Sequence, residues 1–119
     1  MAGKFEPKEP VNLDPPKEDI ITKEYLSKCD GTQEKFPILV AIKGTVFDVT
    51  NKKDTYGPGG SYHVFTGKDA SAGLGKSSLK PEDAHSDFSG LNESEMETLN
   101  NWYTFFSKRY NIVGKVEGA

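Results

Sequence analysis

A small α+β domain is what this sequence predicts, and three stretches predict it. FPILVAIKGTVFDVT, residues 36–50, sets β-branched, apolar runs on either side of Lys43-Gly44, the pattern of a hairpin with a tight turn. NESEMETLNNWYTFFSKRY, residues 92–110, repeats apolar side chains at three- and four-residue steps, the period of an amphipathic helix. Between them, residues 54–77 (DTYGPGGSYHVFTGKDASAGLGKS) are too rich in glycine for regular helix or strand and read as an ordered, turn-rich loop of the kind that carries function.

The chain has 119 residues, room for one domain that buries about two-thirds of its unfolded surface. Residues 1–19 hold Pro7, Pro10, Pro15 and Pro16 among Lys and Glu, with too few large apolar side chains to offset chain ordering, and are expected to be a flexible arm. The domain is expected over 20–116, with 117–119 as a tail. No apolar run reaches the ~18 residues of a membrane span, and the start lacks the order of a signal peptide. A single cysteine, Cys29, makes no internal disulfide and favours a reducing compartment. The net charge of −3, without a basic stripe, argues against nucleic acid.

The first helix is expected in ITKEYLSKCDG. Thr22 caps it, Ile21 and Leu26 occupy the staple positions, and Gly31 supplies a left-handed stop. Tyr25, Leu26 and Cys29 form its expected buried face, which gives Cys29 a structural role. In the hairpin, Leu39, Ala41, Val46 and Phe47 are expected in the core, although the continuous ILVAI run hides which face each occupies. The long helix has capping-box spacing at Asn92 and Glu95, acids in its first turn, and Lys108 and Arg109 in its last. Met96, Leu99, Tyr103, Phe106 and Tyr110 form one stripe. Trp102 and Phe105 widen it beyond what a surface helix needs, so a partner or planar ligand is expected there. NIVGKV closes the domain as a strand. The acidic run from Glu82 to Glu97 reads first as a solvated face.

Two chemical patterns stand out. Residues 70–77 (ASAGLGKS) loosely match a phosphate-binding loop, but that loop needs a strand before it and a long helix after it. Here GKD precedes and Pro81 interrupts, so 70–77 is read as a connecting turn. The second pattern is Tyr56, Tyr62 and Tyr110, with Arg109 beside them. A phenol of pKa about 10 ligates weakly when neutral, whereas ferric iron or a nearby cation favours the phenolate, and tyrosine serves as an axial haem ligand. On the residues alone the signal is weak, because three tyrosines near other aromatic residues are usually core.

ILVAIKGTVFDVT, YGPGGSYHVFTGKDAS, LGKSSL and KRYNIVGKV together resemble the membrane-associated progesterone receptor family, the damage-resistance and steroid-binding branch of the cytochrome b5-like fold. The resemblance covers roughly residues 20–116 and points to a soluble, fungal-type member. It implies a short β-sheet with helices forming a ligand cleft, and ferric, five-coordinate haem bound through the oxygen of Tyr62. Tyr56 and Tyr110 would flank that oxygen and hydrogen-bond in the cleft, and Arg109 falls where the family commonly has lysine. Ser61 stands where relatives often have proline. Electron-carrying cytochromes b5 use two histidines, one in an H-P-G-G turn. Here that turn reads Tyr56-Gly57-Pro58-Gly59-Gly60, and only His63 and His85 exist, which argues against a bis-histidine site.

The function so implied is a haem-binding regulator without catalytic turnover. It would support haem-thiolate monooxygenases of sterol synthesis (the P-450 class) and confer resistance to damage or azoles. A steroid- or lipid-binding adaptor without haem in the cell is the alternative, and a low-potential electron-transfer module a third. Expected partners are haem, a sterol or steroid, the monooxygenase and a haem-dependent second copy. The expected location is cytoplasmic, peripheral at the endoplasmic reticulum membrane, since no anchor precedes the domain in this sequence.

Overall fold

The computed structural model describes residues 17–118, and the sheet at its centre explains why the hairpin sequence is apolar on both faces. Four strands, β1 (Ile20–Ile21), β2 (Leu39–Ile42), β3 (Thr45–Asp48) and β4 (Asn111–Val116), lie in the order β1-β4-β3-β2. β1 runs parallel to β4, while β2–β3 and β3–β4 are antiparallel. Side chains alternate across a strand. Val40 and Ile42 therefore enter one core with Phe47, Leu99 and Phe106, and Leu39 and Ala41 enter a second with Ile21, Leu26, Cys29 and Val46. Both faces are covered, so the run carries no polar alternation. Leu39, Ala41, Val46 and Phe47 are all buried, as expected.

Lys43 and Gly44 both take positive φ, +52° and +81°, the mirror-image turn whose twist suits a two-residue hairpin. The GKDAS segment pins that turn. Asp69 accepts the Gly44 N–H at 2.8 Å, and Ser71 Oγ accepts the Lys43 N–H at 2.7 Å. Residues 67–70 also bond along β2, through Gly67 N–H to Leu39 O at 2.9 Å and Ala41 N–H to Lys68 O at 3.1 Å. Such pairing covers an edge that would otherwise template association.

The helices are α1 (Lys23–Ser27), α2 (Lys53–Tyr56), α3 (Ser71–Gly75) and α4 (Glu93–Arg109). α4 carries the full capping box predicted at Asn92 and Glu95. Thr22 caps α1 by accepting the Tyr25 N–H. Three details differ from expectation. Tyr25 is 40% exposed and stands edge-on to Phe36, so α1 buries Leu26, and Cys29 is buried just beyond its end. Gly31 lies beyond the cap at Lys28 and does not stop the helix; at φ +85°, a Cβ there would meet Pro58 Cδ at 2.9 Å, so it lets the glycine-rich loop approach. Residues 54–77 are also more regular than their composition suggests, holding the end of α2, a 3-10 turn at His63–Phe65 and α3.

Of the arm expected over 1–19, residues 1–16 lie outside the described residues. Lys17 N–H donates to Ile112 O at 3.0 Å and Lys115 N–H to Asp19 O at 2.8 Å, so 17–19 run beside β4. Among the described residues, no helix is long and apolar enough to cross a membrane.

Candidate functional site

The loop after α2 and the second half of α4 form two walls of one cleft. Tyr56 ends α2, where Gly57 N–H bonds back to Lys53 O at 2.8 Å. The chain then reverses through Pro58-Gly59-Gly60, and Tyr62 N–H returns to Thr55 O at 2.9 Å. This reversal sets the Tyr56 and Tyr62 rings 5.9 Å apart. Gly60 permits it, because a Cβ there would lie 2.2 Å from Thr55 O. Opposite, Trp102 meets Tyr62 edge-on at 5.7 Å, and Phe106 meets both Tyr56 and Tyr110 edge-on.

The cleft has a volume of about 540 Å³, within the ~300–1,000 Å³ of small-molecule pockets. Tyr56, Tyr62, Arg109 and Tyr110 all line it. The four side chains singled out in the sequence are therefore brought together. Tyr56 is buried and Tyr62 half-buried, while Tyr110, just beyond the last turn of α4, is 9% exposed.

Burial pushes the Tyr56 phenol far above its ordinary pKa, and the neighbouring Tyr110 adds to that as electrostatic repulsion and as acceptor of the Tyr56 hydroxyl. Tyr56 is thus held as a neutral donor. Burial also raises Tyr110, opposed by the hydrogen bond from Tyr56 and by the positive charge of Arg109. The Arg109 guanidinium lies over the Phe105 ring, 4.4 Å from its centroid, a cation–π contact.

Sequence reasoning missed part of this lining, namely Lys52, Thr55, Thr98 and Asn101. A signal existed in α4. Thr98, Asn101, Trp102, Phe105 and Arg109 recur at three- and four-residue steps, a second stripe beside the core stripe of Leu99 and Phe106. The surplus aromatics noticed on α4 are this wall. The histidines lie elsewhere: His63 Nε2 is 2.8 Å from Asp30 O, and His85 is exposed beyond α3. A second groove of about 600 Å³, at the β2–β3 turn, holds none of the four predicted residues.

The donor set suits a flat, largely apolar guest. Aromatic edges form the walls, phenols form the base, and a phenol oxygen beside a cation is the kind of group that ligates ferric iron. An aromatic-walled cleft between a loop and a helix, over a four-stranded mixed sheet, defines a small ligand-binding domain of the α+β class. Residues 22–116 match the family described as "Cytochrome b5-like Heme/Steroid binding domain". The chain belongs to that family and, within it, to the membrane-associated progesterone receptor proteins.

Among its relatives is "Probable steroid-binding protein 3" of Arabidopsis thaliana, 54% identical over 95 residues, 80% of this chain and 95% of that protein. "Membrane steroid-binding protein 1" of Oryza sativa subsp. japonica is 44% identical over 82% of this chain, which spans 42% of that longer protein. "Neuferricin" of Danio rerio is 39% identical over 83% of this chain and 37% of its own length. A solved Arabidopsis thaliana structure, described as having a cytochrome b5 like fold, superposes with a TM-score of 0.76 at 52% identity, over 83% of this chain and 91% of that one.

Proposed function

We propose that this chain is a haem-binding regulator, with Tyr62 supplying the oxygen that holds the iron. The observation that carries the reading is the convergence of Tyr56, Tyr62, Arg109 and Tyr110 on one aromatic cleft. Haem held there through the Tyr62 oxygen would supply ferric iron, which a hard phenolate favours. Arg109 stabilises negative charge on the phenolic cluster, and the Tyr56–Tyr110 pair orders the base of the cleft. Trp102 and Phe105 exclude water from one wall.

Its role is to support haem-thiolate monooxygenases of sterol synthesis, without turnover of its own, and through them resistance to damage and azoles. The acidic residues from Glu82 to Glu97, among them the exposed Glu82, Asp87, Glu93 and Glu97, steer the approach of a basic partner surface. Haem-loaded copies pair through their open faces. The protein works at the cytoplasmic face of the endoplasmic reticulum as a peripheral component.

The test is the visible spectrum of protein purified without added haem, which should show high-spin ferric haem with a tyrosinate charge-transfer band. Tyr62→Phe should lose most of the haem, and His63→Ala and His85→Ala should keep it. Loss on either histidine substitution, with retention in Tyr62→Phe, would sink the assignment. The second reading is a steroid-binding adaptor without haem, favoured by the steroid-binding names of the relatives. A colourless protein that takes up a neutral steroid would establish it.

A further inference from the structure

The groove of about 600 Å³ at the β2–β3 turn lies between the two cores. Its floor takes Leu26 and Val116 from one core and Ala84 from the other, and half-buried Phe88 packs against the latter. Phe88 is its one apolar ring, so the groove offers mainly aliphatic surface where the cleft offers aromatic walls. Its volume falls within the range of small-molecule pockets.

The polar groups around that floor are unevenly engaged. Asp69 Oδ2 accepts the Gly44 N–H at 2.8 Å, while its Oδ1 accepts the Ser71 N–H at 3.1 Å and the Ser71 hydroxyl. Glu117 Oε2 accepts the Lys23 N–H at 2.7 Å. His85 has the Asp83 and Asp87 carboxylates as electrostatic neighbours. Lys43 sends its amine to Asn100 Oδ1, at 3.1 Å, and over the Tyr103 ring. The amines of Lys23 and Lys68 remain, and among the described residues neither has an ion pair or a hydrogen-bond acceptor. Lys68 is half-buried as well. An ammonium carries three donors and no acceptor, and its strongest partner is an anionic oxygen. A cationic guest would instead meet carboxylates whose oxygens already accept backbone N–H groups.

We propose that this groove is a second binding site, for an aliphatic carboxylate of the fatty-acid type. The apolar chain lies on Leu26, Ala84, Phe88 and Val116, and the carboxylate accepts from the Lys68 and Lys23 amines. Lys68 is the specificity-determining residue, since its stem is partly covered while its amine is unspent. The site is separate from the aromatic cleft, shares no lining residue with it, and does not depend on what the cleft holds.

The experiment titrates the nitrogen-15-labelled full chain with decanoate, kept below the concentration at which it forms micelles. Decanol and decyltrimethylammonium serve as neutral and cationic probes of the same chain length. Decanoate should shift the amides of Gly44, Gly67, Lys68 and His85 saturably. The fluorescence of Trp102, the single tryptophan, which lines the cleft, should stay constant. Decanoate should bind about tenfold tighter than decanol, as expected of two solvent-accessible charged contacts. It should also bind about tenfold tighter than octanoate, through two further buried methylenes. Lys68→Gln should weaken decanoate about threefold and leave decanol unchanged, and Lys68→Arg should keep the wild-type affinity. Equal binding of the three decyl probes overturns the selection of a carboxylate. Shifts that do not saturate, or a Trp102 response with the groove amides unmoved, overturn the groove as the site. Undiminished decanoate affinity in Lys68→Gln overturns the role of Lys68. The probe and chain-length comparisons use the unsubstituted protein and decide the proposal however a variant folds.

Discussion

The Tyr56 and Tyr110 rings stand perpendicular, at 89°, with centroids 6.3 Å apart, and the two phenols are coupled: Tyr110 raises the Tyr56 pKa, and Tyr56 lowers that of Tyr110. One residue belongs to the loop wall of the cleft and the other to the end of α4. Their contact therefore ties the two walls at the base, beside the half-buried Tyr62.

Tyr110→Phe keeps the ring and removes the acceptor. The buried Tyr56 hydroxyl then loses its partner, which should cost about 1–3 kcal/mol of stability. Haem affinity should fall about 10- to 100-fold, less than in Tyr62→Phe, because the supporting contact is lost and the ligand is not. Denaturant melts and haem titration measure the two effects separately. Unchanged haem affinity would return Tyr110 to a purely structural role.

The same pair predicts an alkaline limit. Both phenols have folded pKa values above their ordinary one, with burial the first cause. A group whose folded pKa is raised stabilises fully below its unfolded pKa, here about 10, and loses that contribution as pH climbs toward the folded value. Melting temperature should therefore fall above about pH 10. Tyr56→Phe removes the larger part of that dependence, so its profile should be flatter between neutral and alkaline pH. An equally steep profile in the variant would show that other groups set the limit.

Much of this was legible from local pattern. The hairpin across Lys43-Gly44, the cap at Asn92 and the inward stripe of α4 follow from spacing and turn chemistry, and all appear where expected. What was hidden depends on contacts distant in sequence. Tyr25 fell on the predicted apolar side of α1, but α1 is a single short turn, and the ring stands edge-on to Phe36 and stays 40% exposed. Lys52 carried no signal at all. It reaches the cleft because the 3-10 turn after β3 lies beside α2, a placement fixed by the fold and not by neighbouring residues.

Gly60 offers a test of how the loop aims Tyr62. A Cβ at Gly60 would sit 2.2 Å from Thr55 O, the atom that accepts the Tyr62 N–H. Gly60→Ala should therefore displace that bond, cost about 1–3 kcal/mol as overpacking does, and weaken haem binding through Tyr62. Gly59→Ala is the comparison. Its Cβ meets nothing within 4 Å, so only the penalty of a left-handed backbone at φ +86° applies. Equal haem affinities in the two variants would mean that the Thr55–Tyr62 contact does not position the ligand.

The loose phosphate-loop match at residues 70–77 should bind no nucleotide, because its glycines and amides are already committed. Residues 71–75 form α3, a buried turn of helix where the sequence suggested a connecting turn. The Ser71 N–H goes to Asp69, Ala72 N–H to His85 O, Leu74 N–H to Ala70 O, Lys76 N–H to Ala72 O and Ser77 N–H to Leu74 O. A phosphate cradle needs such donors turned outward. Lys76 Nζ lies 3.8 Å from the Asp83 carboxylate. Gly75 serves packing: a Cβ there would come within 2.4 Å of Leu91 Cδ1 and 3.1 Å of Glu95 O, so α3 approaches α4 only with glycine at that position. Gly75→Ala should therefore lower stability by about 1–3 kcal/mol. Equilibrium dialysis with magnesium and ATP should show no micromolar complex for the unsubstituted protein. A saturable ATP complex abolished by Lys76→Ala, in a protein whose Gly75→Ala variant melts unchanged, would mean that these glycines serve a ligand and not the α3–α4 contact.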